Sequence, residues 1–281
     1  MVELGALAIE IGIDPDIGRI GGLLVTWHGL FTAVGVVAGF LVAAYFGRRA
    51  GIGEDDIYNL GLAVIVGGII GARVLFVLEN HSRFADDPAD IFAINAGGIT
   101  IYGALIGAGV LGLAYGIWRR LPLWRAADAV VMGTIIGMAV GRVGDVINGE
   151  HFASATDWPI AVVYTDSDSP GFGRPPTHLA VGYELVGDLI IFGIMLVLWR
   201  WRPLKLDGFV YLAWAFLYGA MRLGISFYRE DDIILGGLRM AQLIGIGAMA
   251  ATVAAAVYLL APRRPPTRAE RRRALRARRP S

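Results

Sequence analysis

The sequence predicts an all-α integral membrane protein of seven transmembrane helices with a small extracytoplasmic loop region, N-terminus outside and C-terminus cytoplasmic. Three observations predict it. Of the 281 residues, 56% are hydrophobic and only 17% charged, against roughly 25% charged in soluble domains, and the mean hydropathy is +0.60. Seven apolar runs each approach or exceed the about 20 residues that a spanning helix needs. The basic residues crowd into alternate connections, the pattern that orients a multi-pass chain.

The runs lie at about 21–46, 57–79, 98–118, 127–147, 178–199, 208–228 and 238–261. Glu3, Glu10, Asp14 and Asp16 precede the first, and Arg48 and Arg49 follow it. Arg119, Arg120 and Arg125 separate the third from the fourth, and Arg200, Arg202 and Lys205 the fifth from the sixth. Nine arginines follow the seventh, so one side holds seventeen of the 25 basic residues, while eighteen of the 24 acids lean the other way. Positive-inside bias then places the N-terminus outside. Residues 1–261 read as one seven-helix membrane domain and 262–281 as a basic cytoplasmic tail. Beside seven spans, that tail reads as contacting anionic inner-leaflet lipid rather than nucleic acid. No basic residue precedes Arg19, so no cleavable signal peptide is expected.

There is no cysteine, which excludes disulfides, thiolate metal sites and a cysteine nucleophile of the chain's own. No metal-ligand spacing is evident, and neither a metal nor a cofactor is expected. The 39 glycines, many inside spans, suit small-residue helix packing in lipid. The outer connections, about 80–97, 148–177 and 229–237, are the long ones, and the middle one carries a short strand-like "IAVVY". No internal repeat supports a transporter. The only lysine, Lys205, lies in a cytoplasmic loop, which removes a retinal-type receptor.

Ionisable groups inside a membrane are expensive and mark function. Arg73, His28, Tyr102, Arg142, Asp145, His178, Glu184, Asp188 and Arg222 all fall in the outer halves of their runs, which predicts a polar cavity open to the outer leaflet. Arg142 and Asp145 are three apart, and Glu184 and Asp188 four apart, so each pair shares a helix face. Tyr218, Arg222, Ser226 and Arg229 form one stripe down the sixth run. Glu184 and Asp188 are open to a packing role as well as a functional one. Two buried guanidinium groups, Arg142 and Arg222, read better as an anion clamp.

The stretch "GRVGDVINGEHF", with "GARVLFVLEN", "GGITIYGALIG", "PPTHLAVGYE" and "YGAMRLGISFYRE", resembles the bacterial prolipoprotein diacylglyceryl transferases over nearly the whole chain, as a divergent member. The resemblance implies a multi-pass enzyme of the bacterial cytoplasmic (inner) membrane. Its substrates would be phosphatidylglycerol, among membrane lipids, and prolipoprotein signal peptides. The diacylglyceryl group would pass to a lipobox cysteine thiol, with release of glycerol phosphate. Arg142, Asn148, Gly149, Glu150, Tyr218, Arg222 and Arg229 match the family pattern. Tyr102 stands where the family has His, Ala104 and Ala153 where it has Gly, Asp145 where it has Asn, and Ser226 where it has Glu. His28 follows the first-span Trp where the family usually has Tyr, so Tyr and His exchange places between spans one and three.

The catalytic candidates are therefore Arg142, Arg222, His28, Tyr102 and Glu150. Arg142, Asp145, Asn148, Gly149, Tyr218, Arg229, Arg73 and Glu184 are expected to bind substrate. His28 is expected about eight residues, or roughly 12 Å, into its span, with Tyr102 as its neighbour. A non-catalytic paralogue that binds anionic lipid or a lipoprotein partner is the alternative reading.

Overall fold

A computed structural model describes residues 8–21, 23–84, 87–92, 98–201 and 206–260. The basic tail, together with Arg202 and Lys205, lies outside these residues. The helices are α1 (Trp27–Arg49), α2 (Glu54–Glu79), α3 (Ile101–Trp118), α4 (Leu123–Asn148), α5 (Ala180–Trp201), α6 (Phe209–Ile225) and α7 (Met240–Leu260). By length and composition, six of them can cross a membrane, and α6, apolar but only 17 residues long, is the shorter seventh. The protein is a multi-pass helical membrane protein. Leu41, Leu62, Ile69, Leu105, Val110, Ile190 and Val257 face outward on these helices, an apolar exterior that lipid rather than water can cover.

Backbone-close seams join the helices in pairs. A Cβ built on Gly35 of α1 would stand 2.5 Å from the Gly137 carbonyl oxygen of α4, and one on Gly39 would stand 2.8 Å from that of Gly133. Gly67 and Gly71 of α2 meet Gly103 and Gly107 of α3 in the same way, as does Gly219 of α6 with Gly245 of α7. Without a hydrophobic effect between helices in lipid, such close approach is what holds them together. The core lies around α4, where Met132 and Ile135 are fully buried against Phe46, Ile191, Met195 and Val210. Asp128 of α4 positions α6 from the opposite end of the bundle. Its two carboxylate oxygens accept from the Gly208 and Tyr211 amides, each at 2.9 Å, and so cap the first turn.

Connections at that end are short in sequence, and among the described residues all the strands lie at the other. There β1 (Ile9–Ile11) pairs in parallel with β4 (Val162–Tyr164), the predicted strand in the long loop. An antiparallel hairpin joins β2 (Asp16–Ile20) to β3 (Leu23–Thr26), and a second joins β5 (Ile233–Leu235) to β6 (Leu238–Arg239).

Two boundaries differ from the sequence reading. The first span was expected from about residue 21, but Leu23–Thr26 is strand, and Thr26 caps α1 by accepting from the Gly29 amide at 3.0 Å. His28 is consequently the second residue of its helix, not the eighth of its span. The sixth helix ends at Ile225, so Arg229 leaves the stripe and sits in a turn that bridges to Ala153.

Candidate functional site

The last turn of α4 organises the strand-bearing end. Gly149 stops the helix at φ 73°, in the left-handed region, and its amide reaches the Asp145 carbonyl at 3.0 Å. Asn148, buried just before this stop, is bonded on three sides. Its Oδ1 accepts from the His28 amide at 3.3 Å, its Nδ2 donates to Glu150 at 2.7 Å, and its carbonyl accepts from the Ser169 hydroxyl at 2.9 Å. Tyr164 donates to the Val146 carbonyl at 2.8 Å. Burial and the nearby Asp145 carboxylate push the Tyr164 phenol up to about 12, so it stays a donor.

Glu184 of α5 is fully buried and gathers three arginines. Arg142 Nη2 from α4 lies 2.6 Å from Oε2, while Arg222 of α6 and Arg229 from the following turn both engage Oε1, the latter at 3.4 Å. Two of these arginines have a second carboxylate. Arg142 Nη1 donates to Asp145 at 2.8 Å, and Arg229 forks onto Asp231 at 2.8 and 3.0 Å. Burial pushes the Asp231 carboxyl up, but the Arg229 guanidinium outweighs this and holds it below the usual carboxylate range. Among the described residues, Glu184 is the only acid paired with Arg222. Tyr218, stacked on Trp214, lies beside Arg142. Asp188, one turn further along α5, is fully buried, and neither carboxylate oxygen has a hydrogen-bond partner among the described residues.

Asp145 is the second hub. Its Oδ1 is 2.6 Å from His28 Nδ1, and its Oδ2 receives Arg142 and lies 3.6 Å from His151 Nε2. This corrects the expected His28–Tyr102 contact. Among the described residues, the His28 ring is hydrogen-bonded to Asp145, whereas Tyr102 is 43% exposed at the start of α3, near enough to Arg222 to interact electrostatically. Arg73, expected among the substrate-binding residues, is placed apart from the Glu184 cluster. Its Nε, Nη1 and Nη2 donate to the carbonyls of Ile91, Gly98 and Asp90 at 2.8, 2.7 and 2.5 Å. It thus ties down the loop between α2 and α3 and is not one of the guanidiniums around Glu184. Ser226 is fully buried and turns its hydroxyl onto the Arg222 carbonyl at 2.6 Å.

Sequence reasoning missed Asp231, Arg239, Ser169 and Tyr164. The Arg229-x-Asp231 spacing was a usable signal for the first. Arg239 reaches the Ser226 and Asp231 carbonyls at 2.9 and 3.1 Å, which no local pattern announces. His178 is buried among Trp158, Tyr183 and Tyr228, and that burial pushes its imidazole pKa down.

Gly144 lets α1 approach this hub. A Cβ there would stand 2.8 Å from both the His28 Cα and the Trp27 carbonyl oxygen. Gly144→Ala is therefore expected to push the start of α1 off Asp145 and to cost about 1–3 kcal/mol, as overpacking does. Thermal unfolding of the purified variant reads the cost, and an unchanged midpoint would show that the two helices are not held in contact there.

Residues 15–258 match the family profile described as prolipoprotein diacylglyceryl transferase. The chain belongs to that family. It is 35% identical over 238 residues to the phosphatidylglycerol–prolipoprotein diacylglyceryl transferase of Clostridioides difficile (strain 630), covering 85% of this chain and 92% of that one. The like-named protein of Nostoc sp. (strain PCC 7120) is 31% identical over 262 residues, 89% of this chain and 91% of its own. That of Dehalococcoides mccartyi (strain BAV1) is 33% identical over 257 residues, 89% and 95% of the two chains. In this transferase an Asp145–His28 contact lies next to the arginines.

Proposed function

We propose that the chain performs the reaction for which its relatives are named. It transfers the diacylglyceryl group of phosphatidylglycerol to the lipobox cysteine thiol of a prolipoprotein and releases glycerol phosphate. The convergence of Arg142, Arg222 and Arg229 on one buried carboxylate is the observation that best supports a phosphodiester site. Three guanidiniums and the carboxylates of Asp145, Glu184 and Asp231 sum to zero formal charge. Affinity then depends on directed N–H donors rather than a net field, and a guanidinium has five. Arg222, with Glu184 as its one acidic partner among the described residues, keeps the most donors free for a bidentate grip.

In this reading the arginines stabilise charge developing on the departing phosphate. Tyr218, Asn148, Gly149 and Glu150 surround the headgroup. A free thiol has a pKa near 8.5 and an imidazole near 6.5, whereas a tyrosine hydroxyl near 10 is a poor proton acceptor. His28 is accordingly the base, and Tyr102, on the Arg222 side, belongs with the phosphate. The test is direct. Incubated with phosphatidylglycerol vesicles and a synthetic lipobox peptide carrying one cysteine, the purified chain should give thioether-linked diacylglyceryl peptide and free glycerol phosphate. Peptide that stays unmodified while the lipid is bound would identify the non-catalytic paralogue instead.

The same reading sets the chain in the bacterial inner membrane as seven spans, with the site at the outer face and the 262–281 tail in the cytoplasm. Prolipoprotein signal peptides would reach the site from the membrane. Cysteines can report this because the chain has none. Ser167 and Asp55 are exposed near opposite ends of the bundle, whereas Ser169 is buried and unsuitable. On intact spheroplasts, an impermeant maleimide is expected to label Ser167→Cys and leave Asp55→Cys unlabelled until the membrane is opened. The reverse pattern would invert the topology.

A further inference from the structure

At the edge of the arginine cluster, side chains from two helices meet. His28 at the start of α1 and Asp145 near the end of α4 bring the imidazole Nδ1 to 2.6 Å from the carboxylate Oδ1. We infer that Asp145 is the positioning residue of a His28–Asp145 dyad, with His28 as the catalytic base; this rests on the transferase reading above.

The geometry fixes the tautomer. A carboxylate accepts, so Nδ1 carries the proton and donates to Asp145, which leaves Nε2 bare as the proton acceptor. The dyad is held from several elements. Asp145 is 6% exposed in its side chain, and its second oxygen is engaged by Arg142 and approached by His151. The His28 backbone amide is tied to Asn148, and Glu150, bonded to the same Asn148, is the other acid that acts on the ring. The imidazole itself is 42% exposed, so Nε2 remains open to a substrate. A buried, doubly anchored carboxylate under a half-exposed imidazole is the arrangement that orients a base and stabilises its protonated form.

The step balances without any further reagent. Nε2 takes the proton from the lipobox Sγ–H, and the thiolate attacks the glyceryl carbon that bears the phosphate. The S–C bond forms as the C–O bond breaks, and its electron pair leaves on the phosphate oxygen. The imidazolium then gives its proton to the released glycerol phosphate, which regenerates neutral His28.

A kinetic cycle on the full chain in phosphatidylglycerol vesicles tests the dyad. Asp145→Asn is expected to lower kcat by at least about 100-fold, while KM for the lipid stays level or falls because one negative charge beside Arg142 is gone. His28→Gln is expected to lose about 100- to 10,000-fold. The double variant should be no slower than His28→Gln, since groups that act as a unit are not additive. Parental kcat in Asp145→Asn, or penalties that multiply in the double variant, overturns the dyad while leaving the transferase reading intact. A parental chain that transfers nothing overturns both. A second measurement does not depend on turnover. Nitrogen-15 shifts of the His28 ring should show the proton on Nδ1 in the parent and a loss of that preference in Asp145→Asn. A parental ring protonated on Nε2 alone would rule the proposal out.

Discussion

Arg222→Ala and Arg142→Ala are each expected to reduce diacylglyceryl transfer by at least about 100- to 1,000-fold, the scale of removing one donor from a site where charge develops. The two substitutions should differ in character. Arg222 has Glu184 as its one acidic partner among the described residues, whereas Arg142 also holds Asp145 and through it His28. Losing Arg222 removes a phosphate donor and leaves the imidazole hub in place. Losing Arg142 removes a donor and loosens the hub as well, so the deficit should be the larger of the two. Lysine should rescue poorly at either position, because a point charge lacks the planar fork. Initial rates at matched protein levels decide the matter, and an alanine variant with near-parental turnover would remove that arginine from the phosphate site.

Glu184→Ala is expected to destabilise the folded protein by about 3–5 kcal/mol, the range for breaking a buried ion pair from one side. Glu184 is fully buried and engages Arg142, Arg222 and Arg229 at once. Its loss leaves like charges gathered without their common counter-ion. Gln at this position keeps an acceptor but not the charge and should fall between parent and Ala. Denaturant unfolding in detergent, read by tryptophan fluorescence, would give the ranking. Equal stability of parent and Ala variant would mean that the arginines are held apart by other contacts. Added phosphatidylglycerol should recover part of the lost stability, because its phosphate supplies an anion to the same groups.

The helices were legible because lipid-facing surfaces are uniformly apolar, and the seven runs differ from the observed helices mostly by a few residues at each end. The exceptions share a cause. Leu23–Thr26 is as apolar as the helix it precedes, so hydropathy could not separate strand from span, and His28 was placed too deep. Ser226–Tyr228 continues the apolar, aromatic character of α6, so the helix end passed unnoticed and Arg229 was left on a stripe it does not follow. Within the site, the Arg142–Asp145 contact could be read from the spacing of three. The gathering of three arginines on Glu184 could not, since those partners come from other elements and no local period records them. Arg73 shows the converse limit. The depth of a charge does not say which groups its guanidinium touches, here three loop carbonyls.

The shortness of α6 has a consequence for the bilayer rather than for the protein. Its 17 residues span about 25 Å at 1.5 Å per residue, against a hydrocarbon core of about 30 Å. A helix that falls short is accommodated largely by local thinning of the membrane. On the seven-span reading, headgroups beside α6 therefore sit deeper than elsewhere around the protein, at the flank that carries Arg222. A neighbouring phospholipid can then bring its phosphodiester to the guanidinium without lifting its acyl chains out of the hydrocarbon. Hydrophobic mismatch would thus meet part of the desolvation cost of loading the lipid, and thicker bilayers should load it less readily.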